Sequence, residues 1–477
     1  MKNIIYIFTI LSLLATTSCT KDFEAINTNP NAPVSVQPSL LLTQVIYNYG
    51  EEMSYEGFVA GDLLAQHRTA LDFNLFDRHA LKSPQLGGNP WSIFYTNLRD
   101  NEIILNQSRT IDAFKVYEGP ALILKAYIAA GLTDLFGDVP YFEAFNGTVT
   151  PKYDTQESIY MNEGGILDNL NKGIIAIENY TDAISLQGDI LFNGDLQSWI
   201  QFANALKIKH LLRISNKIDV SAELQSIFNN DNYIKTNAQN AIFNFTNSDP
   251  NSFRLAQLRV GDFNNFVLSK TMENILTGLN DTRINTLFKP APNAASGEFN
   301  GLLNGIDATS TSITLADYSL AGTAFREDTS TLDANFITAW EVHFALAEAA
   351  AKNFITADAQ TLYETGVLLA FEYWNTELPA NYLSGNANYN ATGTTPLQQI
   401  ITQKWIANLI NGYESWVEYR RTGFPELKTI SASLNNNLIP TRMPYPAEEE
   451  ALNAENYAKA AATTDNNSIN VPVWWNE

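Results

Sequence analysis

The sequence predicts a mostly α fold, with tetratricopeptide-like helix pairs supporting a loop-rich ligand-binding face and few short strands. Three observations predict it. Apolar residues recur at helical spacing in well-separated stretches of the 477-residue chain. Long loops rich in Asn, Gly, Ser and Thr lie between those stretches. Only short apolar runs, such as Ala241 to Phe245 and Ser312 to Leu315, suggest strands. Apolar residues make up 45% of the chain and aromatics 12%, enough to fill a sizeable core. No shift in composition marks an internal boundary, so residues 39–477 read as one domain.

The first element is a targeting segment. Lys2 is the only charge before position 21, Ile4 to Ala15 is mainly apolar, and Thr16-Thr17-Ser18 lead into Cys19. That order reads residues 1–18 as a secretory signal peptide, too short to span a bilayer. Cys19 is the sole cysteine, which removes disulfide scaffolds and zinc–thiolate sites. Its place after the small residues resembles a bacterial lipoprotein signal, although Thr16 stands where Leu is usual. A thiol there can be acylated, and cleavage would make Cys19 the new N-terminus; the other reading is a plain signal peptide with an incidental cysteine. Lys21-Asp22, with Glu24 soon after, resembles the acidic export tag of lipoproteins displayed on Bacteroidetes cells. Residues 19–38 then form a lipid-anchored tether, in which Asn27 to Pro38 shows no helical period. No later segment approaches the roughly 20 apolar residues that a spanning helix needs.

The helical elements follow in order. Leu40 to Gln66 has helical spacing. In Ala121 to Phe136 nearly every position is apolar, which predicts burial on several sides, and Gly137-Asp138-Val139-Pro140 stops it. Ile166, Leu170, Ile174 and Ile177 form one stripe; Trp199, Phe202, Ala203 and Leu206 form another, behind Asp195 as an N-cap. That helix carries Lys207, Lys209, Arg213 and Lys217, expected to point outward or pair with acids. Phe336 to Asn353 and Ala359 to Trp374 make a helix pair. Ala359, Tyr363, Gly366 and Ala370 give it the small–large–small rhythm of close packing. Ile400 to Tyr419 is the last long helical pattern. Trp199, Trp340, Trp374 and Trp405 fall on these patterns and read as core.

The chemistry is defined largely by exclusion. A balance of 51 acids to 29 Lys and Arg, net −22, repels phosphate backbones, so no nucleic acid is expected as a partner. G-x-S-x-G, G-x-x-x-x-G-K, G-x-G-x-x-G and H-E-x-x-H are all missing, and no EF-hand run appears. Neither a cofactor nor a metal is therefore expected. A glycosidase needs only two facing carboxylates, and nothing singles out a pair. Glu341 and Glu348 share a helix face, which reads as salt bridging or solvation rather than catalysis. The remaining signal is aromatic rings in polar loops. Phe73 and Phe76 sit among Asp72, Asp77 and Arg78; Trp91 and Tyr95 follow Gly87-Gly88-Asn89-Pro90; Arg254, Asp262 and Phe263 share a later loop. Such rings either anchor their loops to the helices or stack on a sugar whose hydroxyls the polar neighbours bind. The same tools grip peptides.

Several runs together carry a family resemblance. They are Ile26-Asn27-Thr28-Asn29-Pro30-Asn31, LTDLFGDVPYFEA at 132–144, GDLQSWIQFANALKIKHLLRIS at 194–215, ITQKWIANLINGYESWVEYRRTGFPEL at 401–427, IPTRMPYPAEEEALN at 439–453, and the terminal VWW at 473–475. In this order, behind the Cys19 signal, the chain resembles SusD/RagB-type nutrient-binding outer-membrane lipoproteins of Bacteroidetes, in the SusD-like branch. The resemblance implies a non-enzymatic, lipid-anchored cell-surface protein. Such a protein captures an oligosaccharide, or alternatively a peptide, and passes it to a SusC-type TonB-dependent barrel. A surface glycosidase is the other alternative. The resemblance places ligand contacts in roughly 67–95 and 250–265 and carries over only Trp91, as an analogue of a stacking ring, with Arg78 as its polar partner; together with the rings and polar neighbours of the loops, the candidate binding residues are Phe73, Arg78, Trp91, Tyr95, Arg254 and Phe263. The late stretch, with Arg420, Arg421, Arg442 and Glu448, reads as Arg–carboxylate pairing that ties down the C-terminal segment.

Overall fold

A computed structural model describes residues 36–310 and 312–477. The signal peptide, Cys19 and the tether up to residue 35 lie outside the described residues. The main helices are α1 (Pro38–Glu56), α2 (Trp91–Thr110), α3 (Glu118–Phe136), α4 (Ile166–Glu178), α5 (Leu196–Arg213), α6 (Ser221–Asn230), α7 (Lys270–Leu279), α8 (Ala339–Ala351), α9 (Ala359–Tyr373), α10 (Pro396–Ala407), α11 (Glu414–Thr422) and α12 (Ala454–Thr463). They pack as a succession of neighbours: α1 on α2, α2 on α3, α3 on α4, α4 on α5, α5 on α8, and α8 on both α9 and α10. This is the expected helix-pair architecture.

Local chemistry explains the ends. Asp195 accepts hydrogen bonds from Gln197 N–H and Ser198 N–H, each at 3.2 Å, as an N-cap should. Thr395 and Gln398 form a capping box, with Pro396 opening α10. Gly137, at φ 76°, ends α3. At Gly366 a Cβ would lie 2.8 Å from the Phe344 ring, so the missing side chain lets α8 and α9 close together.

Trp199, Trp340, Trp374 and Trp405 are all buried. Lys209 and Arg213 do not point outward; they lie inside and pair with acids. Arg213 meets Asp134, Glu414 at 2.6 Å and Glu418 at 3.0 Å. Lys209 bridges Glu341 at 2.9 Å and Glu414 at 3.0 Å. Glu341 is thus paired with a cation, and so is Glu348, which meets Arg421 at 2.6 Å and Lys352 at 2.8 Å.

Four expectations are corrected. The pattern Ile400 to Tyr419 is not one helix. It breaks at 408–413, where Gly412 backs onto Gly61 so closely that a Cβ on Gly61 would sit 1.9 Å from the Gly412 carbonyl oxygen. Among the described residues the run 312–315 pairs with no strand; it leads into a 3-10 turn at Leu315–Asp317. The helical run Asp112–Phe136 is long and apolar enough to span a membrane by composition, but 83% of that window is buried in the protein, so its apolar faces serve the core. Glu448 is exposed and pairs with no cation among the described residues. Arg420 and Arg442 do tie down the C-terminal segment, but through main-chain carbonyls: Arg420 donates to Thr441 and Asp134, and Arg442 to Phe136 and Ser468.

The sheet content is small and places the loops. β1 (Arg68–Ala70) pairs antiparallel with β3 (Phe266–Leu268), in the register Arg68–Leu268, Thr69–Val267, Ala70–Phe266. β2 (Ala241–Asn244) pairs with β4 (Asp333–Ile337), which bears out the expected strand at 241.

Candidate ligand-binding recess

The β1–β3 ladder brings together two loops nearly 200 residues apart, following 70 and preceding 266. Beyond its end the pairing continues through one side chain. Leu71 N–H donates to the Asn265 carbonyl at 2.9 Å, Asp72 N–H to Asn265 Oδ1 at 2.8 Å, and Asn265 Nδ2 back to the Asp72 carbonyl at 2.7 Å. Behind this clip Asp77 is a buried hub. It accepts from Thr69 Oγ1 at 2.8 Å, Asn304 Nδ2 at 2.7 Å and Gly305 N–H at 2.8 Å. Burial pushes its carboxyl up to about 6, and those hydrogen bonds hold it back from going further.

At the tip stands Phe73. Its ring is 68% exposed and its backbone is left-handed, φ 48°, with its N–H donating to Asp72 Oδ1 at 2.7 Å. A bulky aromatic residue in that conformation carries strain, and leaving its ring in water gains no burial. Phe73 lines a recess of about 540 Å3 with Asp72, Gln85, Leu86, Arg259, Gly261, Asp262 and Asn265. Arg259 lies 87% exposed at the rim, its Nε and Nη2 donating to the Asp262 carboxylate at 2.8 and 3.0 Å.

The other candidate residues are distributed around this recess or away from it. Arg254 is not among the lining residues; its guanidinium lies 4.2 Å over the Tyr55 ring and pairs with Glu52 at 2.7 Å, while the Tyr55 hydroxyl donates to the carbonyl of the lining residue Leu86 at 2.9 Å. Arg78 points away; its Nε donates to the Ala432 carbonyl at 2.8 Å. Phe263 is a correction. It is 3% exposed and stacked on Phe58 at 5.5 Å, so it anchors its loop in the core. Trp91 is half-buried at the start of α2, edge-on to Phe136 at 4.9 Å, and lines no recess with Phe73. Tyr95 donates to the Pro140 carbonyl at 2.7 Å and lines a separate surface hollow of about 470 Å3 with Phe145 and Arg99. A third cavity, about 60 Å3 and lined by Tyr49, Lys209, His210 and Glu414, lies within the ion-pair core rather than near either loop.

Of the residues that line this recess, the sequence reading named Phe73 as a candidate and did not name Leu86, Arg259 or Asn265. Arg259 and Asp262, three apart in a loop, were the available signal. Nothing local marks Asn265 as a clip, because its partners lie 193 positions away.

The fold and recess define a mostly helical scaffold with a loop-lined surface recess, and comparison with known proteins identifies the family. The SusD-like family model described as "starch-binding associating with outer membrane" matches residues 30–446, and the chain belongs to this family. A chitin-binding protein of known structure is 25% identical, with a TM-score of 0.78 over 92% of this chain and all of that one. A SusD homologue from Bacteroides fragilis is 23% identical, with a TM-score of 0.80 over 93% of this chain and all of that one. A chitin-binding SusD homologue from Flavobacterium johnsoniae is 22% identical, with a TM-score of 0.76 over 92% and 98% of the two chains. No curated protein sequence matches.

Proposed function

We propose that the protein captures an oligosaccharide at the cell surface in the Phe73 recess and changes no covalent bond in it. The observation that carries this reading is Phe73 itself: an exposed ring on a strained backbone, clipped in place by Asn265 and ringed by Asp72, Gln85, Arg259 and Asp262. A flat ring gives a pyranose face its stacking partner, and the surrounding carboxylates, amides and guanidinium pair with hydroxyls. The family description and the chitin-binding relatives support a carbohydrate as cargo.

The same reading includes the rest of the transport arrangement. Cys19 carries lipid and tethers the domain to the outer membrane through residues 19–38, and a SusC-type TonB-dependent barrel receives the cargo. Support for these parts is the sequence around Cys19 and the family's outer-membrane association. Calorimetric titration against neutral oligosaccharide and peptide panels tests the capture step. Binding of a glycan that Phe73→Ala weakens supports it, and binding of peptides alone replaces it with the peptide reading.

A further inference from the structure

We propose that the Phe73 recess selects uncharged oligosaccharides against acidic ones, because its only cation is already engaged and its net charge is negative. This rests on the capture reading above.

The charged residues lining the recess are Asp72, Asp262 and Arg259, a sum of −1. Arg259 does not offer its charge freely. Its Nε and Nη2 form a two-pronged pair with Asp262, at 2.8 and 3.0 Å. A carboxylate or sulfate on a sugar gains a two-pronged grip on Arg259 only by displacing Asp262, and a single bond to Nη1 would set its charge beside the Asp262 and Asp72 carboxylates. Asp72 uses one carboxylate oxygen to accept the Phe73 N–H and keeps the other for a ligand donor. A neutral sugar needs no such exchange. Its hydroxyls can donate to Asp72 and accept from Arg259 Nη1, which takes no part in the Asp262 pair.

The surroundings reinforce the sign. Arg254, stacked on the Tyr55 ring behind Leu86, is paired with Glu52, and Glu51 stands beside them. The whole chain carries −22. At physiological ionic strength the screening length is about 8 Å, so the recess charges act on a ligand in the recess, and the distant ones mainly slow the approach of a polyanion.

The test titrates the full mature chain with length-matched series: neutral gluco-, xylo-, manno- and chito-oligosaccharides, and oligogalacturonates. The expected result is binding to at least one neutral series and at least about fivefold weaker binding to the uronates at low salt. Asp262→Asn, which releases Arg259, is expected to narrow that ratio by about threefold or more, and added salt to narrow it in the wild type. Uronates that bind as tightly as the neutral series, through a site that Phe73→Ala disrupts, overturn the charge inference and leave capture standing. No binding to either series overturns the capture reading and this inference with it.

Discussion

Arg421 and Glu348, on α11 and α8, meet in a two-pronged pair, Nη1–Oε1 and Nη2–Oε2 both at 2.6 Å, with both side chains almost wholly buried. Glu418 joins the same guanidinium at 2.8 Å. The Arg421 fork holds the Glu348 carboxyl below the usual carboxylate range despite burial. Removing Arg421 leaves the buried Glu348 with Lys352 alone, at 2.8 Å, so Arg421→Ala is expected to lower unfolding free energy by about 2–3 kcal/mol, below the cost of a charge left with no partner. Arg421→Lys should recover only part of this, since an ammonium cannot reproduce the fork. Urea melts of the mature chain measure both.

The two loop phenylalanines make opposite predictions. Phe73→Ala removes an exposed ring from a strained position and should leave the melting temperature within about 2 °C, while weakening glycan binding roughly tenfold. Phe263→Ala leaves a cavity beside Phe58 and should cost about 3–5 kcal/mol of stability. Thermal melts beside titrations separate the two roles. Equal destabilisation by both would remove Phe73 from the binding site.

Glu51 sets a pH dependence. Burial, with Glu52 nearby, raises its carboxyl to about 7, against the opposing pull of Arg254. A carboxyl with a higher pKa folded than unfolded binds its proton more tightly in the native state. Its contribution is therefore full at pH 4 and is lost as pH rises through 7. Glu51→Gln is expected to stabilise the protein by roughly 1–2 kcal/mol at pH 8, with little effect at pH 5. Paired denaturation curves at the two pH values show whether the gain is confined to the higher one.

Three histidines act in the opposite direction. Burial lowers His79 to about 4, and lowers His210 and His343 as well, with Lys209 and Arg213 adding to the effect at His210. The unfolded chain takes up protons near 6.5 that the native histidines refuse, so stability falls as pH drops from 6.5 toward 4. His79→Gln should flatten that slope by about one proton. The pH dependence of the melting temperature in the two proteins gives the comparison.

Much of the fold was legible because helix formation is decided within a few residues. The stripes at Ile166–Ile177 and Trp199–Leu206, the Asp195 cap and the Gly137 stop all act through neighbours in sequence, and each appears where its pattern places it. The break at 408–413 was not legible, because its cause is the backbone of Gly61 pressing from a distant segment. The two loops of the candidate site were visible as aromatic rings in polar sequence; which ring faces water was not.

What the sequence determined by itself is the sign and scale of the molecule: an acidic chain of 477 residues with helical periodicity in well-separated stretches. What only the tertiary structure decided is the fate of individual side chains. Phe73 and Phe263 have similar local surroundings, yet the β1–β3 register sends one outward and the other onto Phe58. Lys209 and Arg213, polar on paper, end up inside because acids from α3, α8 and α11 converge on them. Periodicity is a property of neighbours along the chain, whereas burial and charge pairing are properties of neighbours in space, and these are chosen only when the helices pack.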